Sequence, residues 1–205
     1  IAQAQSGTGK TATFTIGALQ RVNIDEPSTQ VLILSPTREL STQTSNVVSN
    51  LGNFMNGLKI QTLFGGSFVE EGSCFSNKNI PHIICGCPGR VNDMMRRDRI
   101  GSKTIKLIIL DEADEMLSSG FKEQVYNIFQ YLNTDVQVCL FSATLPDGIN
   151  AITEKIMRNP VKICVKREQL TLEGIAQYYI ALNDDREKYI TLKDIFSHIT
   201  LSHTI

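Results

Sequence analysis

Short apolar runs alternate along this chain with longer mixed segments of helical length. Between the runs, apolar residues recur at helical spacing, as Phe121, Val125, Ile128 and Leu132 do within 121–132, and we expect that face to pack into the core. Strands that alternate with helices predict an α/β fold with a parallel sheet covered by helices on both faces. Six runs rich in Val, Ile and Leu predict β-strands at 31–35, 58–64, 82–86, 106–111, 136–142 and 161–165.

The pattern changes after residue 165, which indicates a domain boundary. Residues 166–174 are polar and read as a linker, and they are followed by a predicted strand at 175–182 and a predicted helix at 185–199. One strand and one helix cannot bury a core by themselves. We therefore expect a first domain over 1–165 and the truncated beginning of a second domain over 175–205.

Composition and charge exclude some classes of protein for this chain. The chain has 205 residues, of which 41% are hydrophobic, and 20 Lys and Arg stand against 21 Asp and Glu, for a net charge of −1. This balance argues against a globally basic nucleic-acid-binding protein but leaves a local basic patch open. No apolar run approaches the roughly 18 residues that span a bilayer, so no membrane partner is expected.

Five cysteines occur without a CxxC pair, which favours reduced thiols in a cytosolic or nuclear protein. Three of them, Cys85, Cys139 and Cys164, lie in apolar runs and are expected to be buried. The spacing Cys85-Gly86-Cys87 is too tight to indicate a zinc site by itself.

The segment 4–11, AQSGTGKT, predicts a phosphate-binding turn. Such a turn points backbone N–H groups inward, and the helix that follows adds its positive end. Lys10 would reach the β- and γ-phosphates of a nucleotide and the Thr11 hydroxyl would bind Mg²⁺. A flexible Gly/Ser linker could have a similar sequence, and Ala4 stands where the usual pattern has Gly. The helical segment that follows nevertheless favours the phosphate site. The other candidate phosphate-binding residues are Ser6, Gly7, Thr8 and Gly9.

Acidic and hydroxyl side chains follow two of the predicted strands. Asp111 would support Mg²⁺ directly or through water, and Glu112 would orient the attacking water and accept its proton. A surface charge cluster is the alternative interpretation, but such clusters seldom end a fully apolar strand. Ser142 and Thr144 are expected to hydrogen-bond Asp114 or nearby backbone, although Ser and Thr also serve as ordinary helix caps.

Six segments occur in the order and at about the spacing of the DEAD-box RNA helicases, which this chain resembles over nearly its whole length. The longer strings DEADEMLSSGFKEQ and VKREQLTLEGIAQYY are similar to the initiation factor 4A subfamily, which includes a paralogue in the exon junction complex. The resemblance implies a first RecA-like P-loop domain and the start of a second. The matching segments are AQSGTGKT at 4–11, PTREL at 36–40, GG at 65–66, CPGR at 87–90, DEAD at 111–114 and SAT at 142–144.

The resemblance implies an ATP-dependent RNA helicase that uses ATP and Mg²⁺, with Lys10, Asp111 and Glu112 in catalysis. It further implies that Asp114, Ser142 and Thr144 couple hydrolysis to closure of a second domain, which would supply the arginines that stabilise the transferring phosphoryl group. We expect the adenine-reading segment to precede Ile1 and to be absent. Residues 1–205 alone are therefore expected to bind ATP weakly and to hydrolyse it slowly.

The segments PTREL and CPGR each open a predicted helix, with Pro36 and Pro88 suited to the first helical turn. Free N–H groups at helix N-termini bind phosphates, so these loops would hold an RNA backbone without reading its sequence. Cys87 departs from the family motif, which has Thr there, and a thiol is a poorer donor. The alternative is that both prolines merely start helices. The candidate RNA-binding residues are Pro36, Thr37, Arg38, Gly65, Gly66, Pro88, Gly89 and Arg90.

The segment 94–106 has five basic residues against one acidic residue. It would either extend the RNA surface or form a solvated helix end. The expected partners are RNA, as a single strand or short duplex, and scaffold proteins such as initiation-factor or exon-junction components. The expected role is translation initiation in the cytoplasm. The alternatives are an ATP-locked RNA clamp in an exon-junction or ribosomal-RNA-processing assembly, with a nuclear location, and a DNA translocase with the same core.

Overall fold

A computed structural model describes residues 1–65, 79–118, 120–145, 153, 155–164, 176 and 178–199. The chain divides into two compact units, Ile1–Leu170 and Thr171–Ile205. The predicted linker at 166–174 and the candidate residue Gly66 lie outside the described residues. Among the residues that are described, none belongs to a helix long and apolar enough to cross a membrane.

The first unit alternates strands and helices as the apolar pattern predicts. A short 3-10 turn, Ser102–Thr104, precedes the strand at Leu107–Asp111, and the second unit contains a helix at Glu187–His198. The first unit's elements are β1 Ala2–Gln3, α1 Lys10–Arg21, β2 Val31–Leu34, α2 Arg38–Leu51, β3 Ile60–Leu63, β4 Ile83–Gly86, α3 Pro88–Arg96, β5 Leu107–Asp111, α4 Ala113–Ser118, α5 Lys122–Tyr131 and β6 Gln137–Ser142.

The strands form a six-stranded sheet in the order β1-β6-β5-β2-β4-β3, and every pairing is parallel. The central strand β2 pairs on both sides, with Leu32 opposite Ile84 of β4 and Ile108 of β5. Helical crossovers join parallel strands, and all strands then end at the same edge of the sheet. The turn before α1 and the acidic residues at the end of β5 are thereby brought to one edge, with β6 between β1 and β5.

Helices cover both faces of the sheet, as predicted for continuous apolar strands. On one face, Val31 and Ile33 of β2 pack in a cluster with Phe14 and Ala18 of α1. On the other face, Leu32 and Leu34 pack in a second cluster with residues of α3, α4 and α5, including Ile128. Alternate residues of one buried strand thus supply two cores, and the predicted inward face of α5 is confirmed.

Two of the predicted strands, at 161–165 and 175–182, are absent from the residues that the structure describes there. Residues 161–164 contain an isolated bridge, between Ile163 and Ala2, instead of a strand. Cys164 is consequently exposed, although it was expected to be buried, because this segment runs beside the short β1 outside the sheet interior. Residues 178–182 form no strand either, since no strand in the described part of the chain pairs with them. An apolar run becomes a strand only when a neighbour satisfies its backbone hydrogen bonds.

Gly86, the last residue of β4, leaves no room for a side chain. A Cβ added there would lie 2.6 Å from the carbonyl oxygen of Leu63 and 2.8 Å from Cγ2 of Val91. We expect Gly86→Ala to lower the free energy of unfolding by about 2 kcal/mol, because both neighbours belong to packed elements. The measurement is urea unfolding. Gly89→Ala is the matched control, since its Cβ would meet open space, and equal losses in both variants would contradict the close packing at Gly86.

Candidate functional site

The turn between β1 and α1 has the backbone of a phosphate cradle. Gly7 and Gly9 adopt φ of 78° and 96°, and a Cβ at either would meet nothing within 4 Å, so glycine is required by backbone conformation alone. Gly9 is the residue before α1, and its carbonyl accepts the amide of Thr13 at 3.0 Å. The first N–H groups of a 12-residue helix therefore open onto this turn.

The Lys10 side chain is folded back over the turn. Its Nζ donates to the carbonyl oxygens of Ala4 at 2.9 Å and Gln5 at 3.2 Å, and only 8% of the side chain is exposed. The same Nζ lies 4.0 Å from Oε1 of Glu112. The predicted meeting of the phosphate turn with the acidic end of β5 is therefore present. To bind a phosphate oxygen, Lys10 would have to release these backbone acceptors.

Asp111, the last residue of β5, is nearly fully buried. Burial first, and next the charge of Glu112, raise the pKa of Asp111 to about 6, whereas the Lys10 ammonium and the N–H of Glu112 act in the opposite direction. Its Oδ1 has no hydrogen-bond partner within the described residues. A buried carboxylate oxygen without a donor is an apt ligand for a hard cation.

Mg²⁺ would thus fit at Asp111 together with the Thr11 hydroxyl, the ligand types that this ion prefers. The described part of the chain brings no three His, Cys, Asp or Glu side chains together as a metal site.

Glu112 has φ of 51°, a left-handed conformation that a side chain other than glycine rarely adopts. Strain of this kind persists where surrounding structure enforces it and is frequent at functional sites. Here it turns the chain between the buried strand β5 and α4, and leaves the Glu112 carboxylate facing Lys10. The sequence carries no signal for this backbone conformation.

The residues after β6 contact the start of α4. Thr144 Oγ1 donates to Oδ2 of Asp114, which is the hydrogen bond expected from the sequence. Ser142 is fully buried, and its Oγ donates to the carbonyl of Thr144 at 2.6 Å and accepts the Thr144 N–H at 3.2 Å. Ser142 therefore shapes the turn, while Thr144 makes the contact with Asp114.

Gln3 adds a contact that no sequence motif predicts, because its Nε2 donates to the carbonyl of Ala143 at 3.3 Å. The three segments 4–11, 111–114 and 142–144 thus form one connected group at the carboxyl edge of the sheet.

The start of α2 differs from the prediction. Thr37 is the N-cap, its Oγ1 accepting the Leu40 amide at 3.2 Å, and the helix starts at Arg38. Pro36 is buried before the cap, so its predicted place in the first helical turn is wrong. The reason is that the Thr hydroxyl can satisfy an amide of the first turn, which makes it the better cap.

Arg38 connects this loop with the end of β3. Its Nη2 donates to the carbonyl of Gly65 at 2.6 Å, and its guanidinium lies 5.2 Å from the centre of the Phe64 ring. Two predicted RNA segments are therefore in direct contact. Phe64 escaped prediction because an aromatic residue at the end of an apolar run looks like any other core residue.

The third predicted loop lies beside the first. Cys87 is the residue before α3, its Sγ lies 3.5 Å from Oγ of Ser41 in α2, and its N–H donates to the carbonyl of Leu63 at 2.9 Å. Pro88 takes the first helical position as predicted. Gly89 is exposed, and Arg90 Nη1 lies 3.5 Å from Oδ2 of Asp93. The three loops thus form one surface with two helix N-termini.

A glycine-rich turn before a helix, acidic residues after a neighbouring strand and a parallel sheet covered on both faces define a P-loop nucleotide-binding domain of RecA type. A family model described as DEAD/DEAH box helicase matches residues 1–152. The chain therefore belongs to the DEAD/DEAH box helicase family.

Relatives extend this result. The chain is 49% identical to the ATP-dependent RNA helicase eIF4A of Debaryomyces hansenii, with all of this chain and 51% of that protein aligned. It thus spans about half the length of this curated relative. The similarity to the initiation factor 4A subfamily that the sequence motifs indicate is confirmed.

Solved structures agree with the fold. Saccharomyces cerevisiae Dbp5 bound to RNA and ADP BeF3 is 35% identical with a TM-score of 0.84, over 96% of this chain and 49% of that chain. A DEAD box protein from the hyperthermophile Methanococcus jannaschii is also 35% identical, with a TM-score of 0.75, over 95% of this chain and 51% of that chain.

Proposed function

We propose that this chain is the nucleotide-binding half of an ATP-dependent RNA helicase. The observation that carries the proposal is the approach of Lys10 Nζ to Oε1 of Glu112, at 4.0 Å, because it joins the phosphate turn to the acidic end of β5. A phosphate cradle and a carboxylate pair at one edge are what phosphoryl transfer to water requires. The Dbp5 structure with RNA and ADP BeF3 supports the two ligand classes.

In this proposal the ATP phosphates lie on the N–H groups of the turn at 6–9, and Lys10 leaves the carbonyls of Ala4 and Gln5 to bind the β- and γ-oxygens. Mg²⁺, held by Thr11 and Asp111, supplies charge neutralisation on the phosphates. Glu112 orients the attacking water and accepts its proton.

Asp114 couples this site to the rest of the protein. Its hydrogen bond from Thr144 ties α4 to the segment that follows β6. A change at the acidic end of β5 therefore reaches the residues after β6 directly. We propose that closure of a second domain over ATP and RNA acts through this contact, and that the closing domain supplies the arginines for the transferring phosphoryl group.

RNA would lie across the three contiguous loops, which bring together Thr37, Arg38, Gly65, Gly89 and Arg90. The N-termini of α2 and α3 present free N–H groups, and the guanidiniums add charge-assisted bonds to phosphates. Contacts of this kind hold the backbone without reading bases. Pro36 and Pro88 are both buried and would act by shaping their loops.

We further propose a role in translation initiation, supported by 49% identity to a protein described as eIF4A. Scaffold proteins of the initiation machinery are the proposed partners, and the cytoplasm is the proposed location. A two-domain architecture, with the boundary in 166–174, is proposed on the same basis.

The test is ATP hydrolysis by a chimera in which this chain replaces the aligned half of the Debaryomyces hansenii relative. We expect single-stranded RNA to stimulate hydrolysis at least about tenfold, and DNA of the same sequence to do so far less, because the family resemblance implies contacts to the 2′-hydroxyl groups. Arg38→Ala should raise the RNA concentration for half-maximal stimulation, since it removes a phosphate contact.

Arg21→Ala is the matched control, because it removes the same charge from the end of α1, on the exposed surface. Equal stimulation by DNA, or hydrolysis that ignores nucleic acid, would leave a P-loop ATPase and refute the RNA-dependent activity.

A further inference from the structure

Ser35, the residue that follows β2, is almost completely buried, with 1% of its surface exposed. Its Oγ has no hydrogen-bond partner among the described residues, and the same is true of Oδ1 of Asp111. A buried polar atom without a partner costs free energy, so such atoms are rare in folded proteins. The proposed Mg²⁺ site accounts for the oxygen of Asp111 and leaves that of Ser35 without a role.

The sheet places these two residues side by side. Leu34 lies opposite Leu110 in the parallel pairing of β2 with β5. Ser35 and Asp111, the next residues of these two segments, therefore occupy adjacent positions. The ladder extends this far, because the Ser35 N–H donates to the carbonyl of Gly86, on the other neighbouring strand, at 3.0 Å. Neighbouring strands are about 4.8 Å apart, a separation that a serine hydroxyl and a carboxylate can bridge.

Both side chains lie on the face of the sheet that α1 and α2 cover. Successive side chains of a strand point to opposite faces, so residues two positions apart share a face. Ile33 and Ile109 pack in the cluster that contains Phe14 of α1. Ser35 and Asp111 follow them by two positions and therefore lie on the same face. The two unpaired oxygens thus belong to neighbouring side chains at the edge where the phosphate turn opens.

Cys87 is the other neighbour of Ser35, and it is a poorer partner for the hydroxyl. The pairing of β2 with β4 places Cys87 on the side of Ser35 that is opposite to Asp111. Its Sγ already lies 3.5 Å from Oγ of Ser41 in α2, and sulfur is a weak acceptor. Hydrogen bonds to a carboxylate are shorter and stronger than those between neutral groups. Asp111 is therefore the acceptor that suits the Ser35 hydroxyl.

We propose that Ser35 is a positioning residue for Asp111, and that its hydroxyl donates to Oδ1 of the Asp111 carboxylate in the nucleotide-bound protein. Serine has one χ angle with three staggered positions, so this bond can form without a change in the backbone. A carboxylate oxygen has about two acceptor sites, so Oδ1 can accept this bond and bind a cation as well. The inference rests on the proposed binding of ATP with Mg²⁺ and names a further residue of that site.

The experiment titrates the 205-residue chain with ATP by isothermal calorimetry, once with Mg²⁺ and once with EDTA. We expect Ser35→Ala to weaken binding about tenfold with Mg²⁺, because hydrogen bonds that orient a metal-binding side chain are typically worth about 10- to 100-fold in metal affinity. In EDTA, where Asp111 has no cation to bind, the affinities of the variant and the unchanged chain should agree. A loss confined to Mg²⁺ separates positioning of Asp111 from a general disturbance of the site.

The stability of the nucleotide-free chain gives a second readout. The Ser35 hydroxyl has no partner in the part of the chain that the structure describes. Its removal in Ser35→Ala should therefore leave the urea midpoint of unfolding unchanged or raise it. Ser35→Cys keeps a side chain of similar size but has a weak donor, so it should lose as much Mg²⁺-dependent affinity as Ser35→Ala. Full affinity in Ser35→Cys would attribute the loss to packing and contradict the hydrogen bond.

Ser41→Ala is the matched control, since it removes another buried serine hydroxyl from the same face, one that donates to the carbonyl of Thr37. Its affinity for ATP with Mg²⁺ should equal that of the unchanged chain. The proposal would be overturned by equal affinities in Ser35→Ala and Ser41→Ala, or by a Ser35→Ala loss that is the same in Mg²⁺ and in EDTA. Failure of the proposed function looks different, because the unchanged chain would then not bind ATP, or Lys10→Ala would leave binding unaltered.

Discussion

Replacing Lys10 by Ala should lower the affinity of the 205-residue chain for ATP with Mg²⁺ by about 10²-fold. Lys10 is the cation within the turn itself, and its Nζ already sits among the acceptors of Ala4 and Gln5. Loss of a hydrogen bond from a charged donor costs about 1.5 to 3 kcal/mol, which is a factor of about 10 to 10² in affinity. Isothermal titration of the chain with ATP and Mg²⁺ measures the change.

The pH dependence of ATP binding distinguishes loss of the Lys10 charge from a general disturbance of the turn. Lys10 lowers the pKa of Asp111, so its removal allows that pKa to rise above about 6. The affinity of Lys10→Ala for ATP with Mg²⁺ should therefore depend more steeply on pH between about 6 and 8 than the affinity of the unchanged chain.

Lys122→Ala is the control, because it removes an equal charge from the exposed start of α5. Unaltered affinity in Lys10→Ala, with an unaltered melting temperature, would show that the turn does not hold the nucleotide.

Much of the sheet could be predicted because parallel strands are buried on both faces and so read as unbroken apolar runs. The strands β2, β4 and β5 are of this kind, with every residue buried. The phosphate turn was equally visible, because Gly7 and Gly9 are needed by backbone conformation and Lys10 by charge. The predicted contact of Thr144 with Asp114 followed from chain order in a parallel sheet, where strand ends meet at one edge.

The features that escaped prediction depend on neighbours that are distant in sequence. Whether 161–165 forms a strand depends on its partner, and Ala2 offers a single bridge. The short β1 has too few residues to produce a pattern. The stacking of Arg38 on Phe64 joins two loops through side chains whose directions are set by packing. The strain at Glu112 is a property of the turn between β5 and α4, and glutamate itself gives no sign of it.

Replacing Asp111 by Asn should stabilise the nucleotide-free protein above about pH 7. The pKa of Asp111 is raised from 3.8 to about 6, chiefly by burial, so the folded state binds its proton more tightly than the unfolded chain does. Between these values the folded state keeps a proton that the unfolded state has lost, and stability falls as pH rises through this interval. Above about pH 6 the ionised carboxylate costs about 3 kcal/mol, by the conversion of about 1.36 kcal/mol per pKa unit.

Asn removes this cost but leaves a buried amide to satisfy, so we expect a net gain of about 2 kcal/mol at about pH 7.5. The gain should shrink toward zero as the pH falls toward about 4, because Asp111 is then protonated in the folded state and only about half ionised in the unfolded state. Urea unfolding at about pH 4.5, 6 and 7.5 in the presence of EDTA measures the difference between the variant and the unchanged chain. Glu26 and Asp93 change the stability with pH in the opposite direction, because hydrogen bonds from Lys106 and Arg96 lower their pKa values. Both proteins contain these two residues, so their contributions cancel in the difference.

Asp135→Asn is the matched control, because it removes an exposed carboxylate just before β6. A gain in Asp111→Asn that is the same at the lowest and the highest pH would mean that the Asp111 carboxylate is not destabilised by its burial. Mg²⁺ with ATP should reverse the order of stability at the highest pH, since the bound cation favours the ionised carboxylate and Asn offers a neutral ligand in its place. The instability of the ionised Asp111 in the empty site is thus the same property that suits it to hold Mg²⁺ when nucleotide is bound.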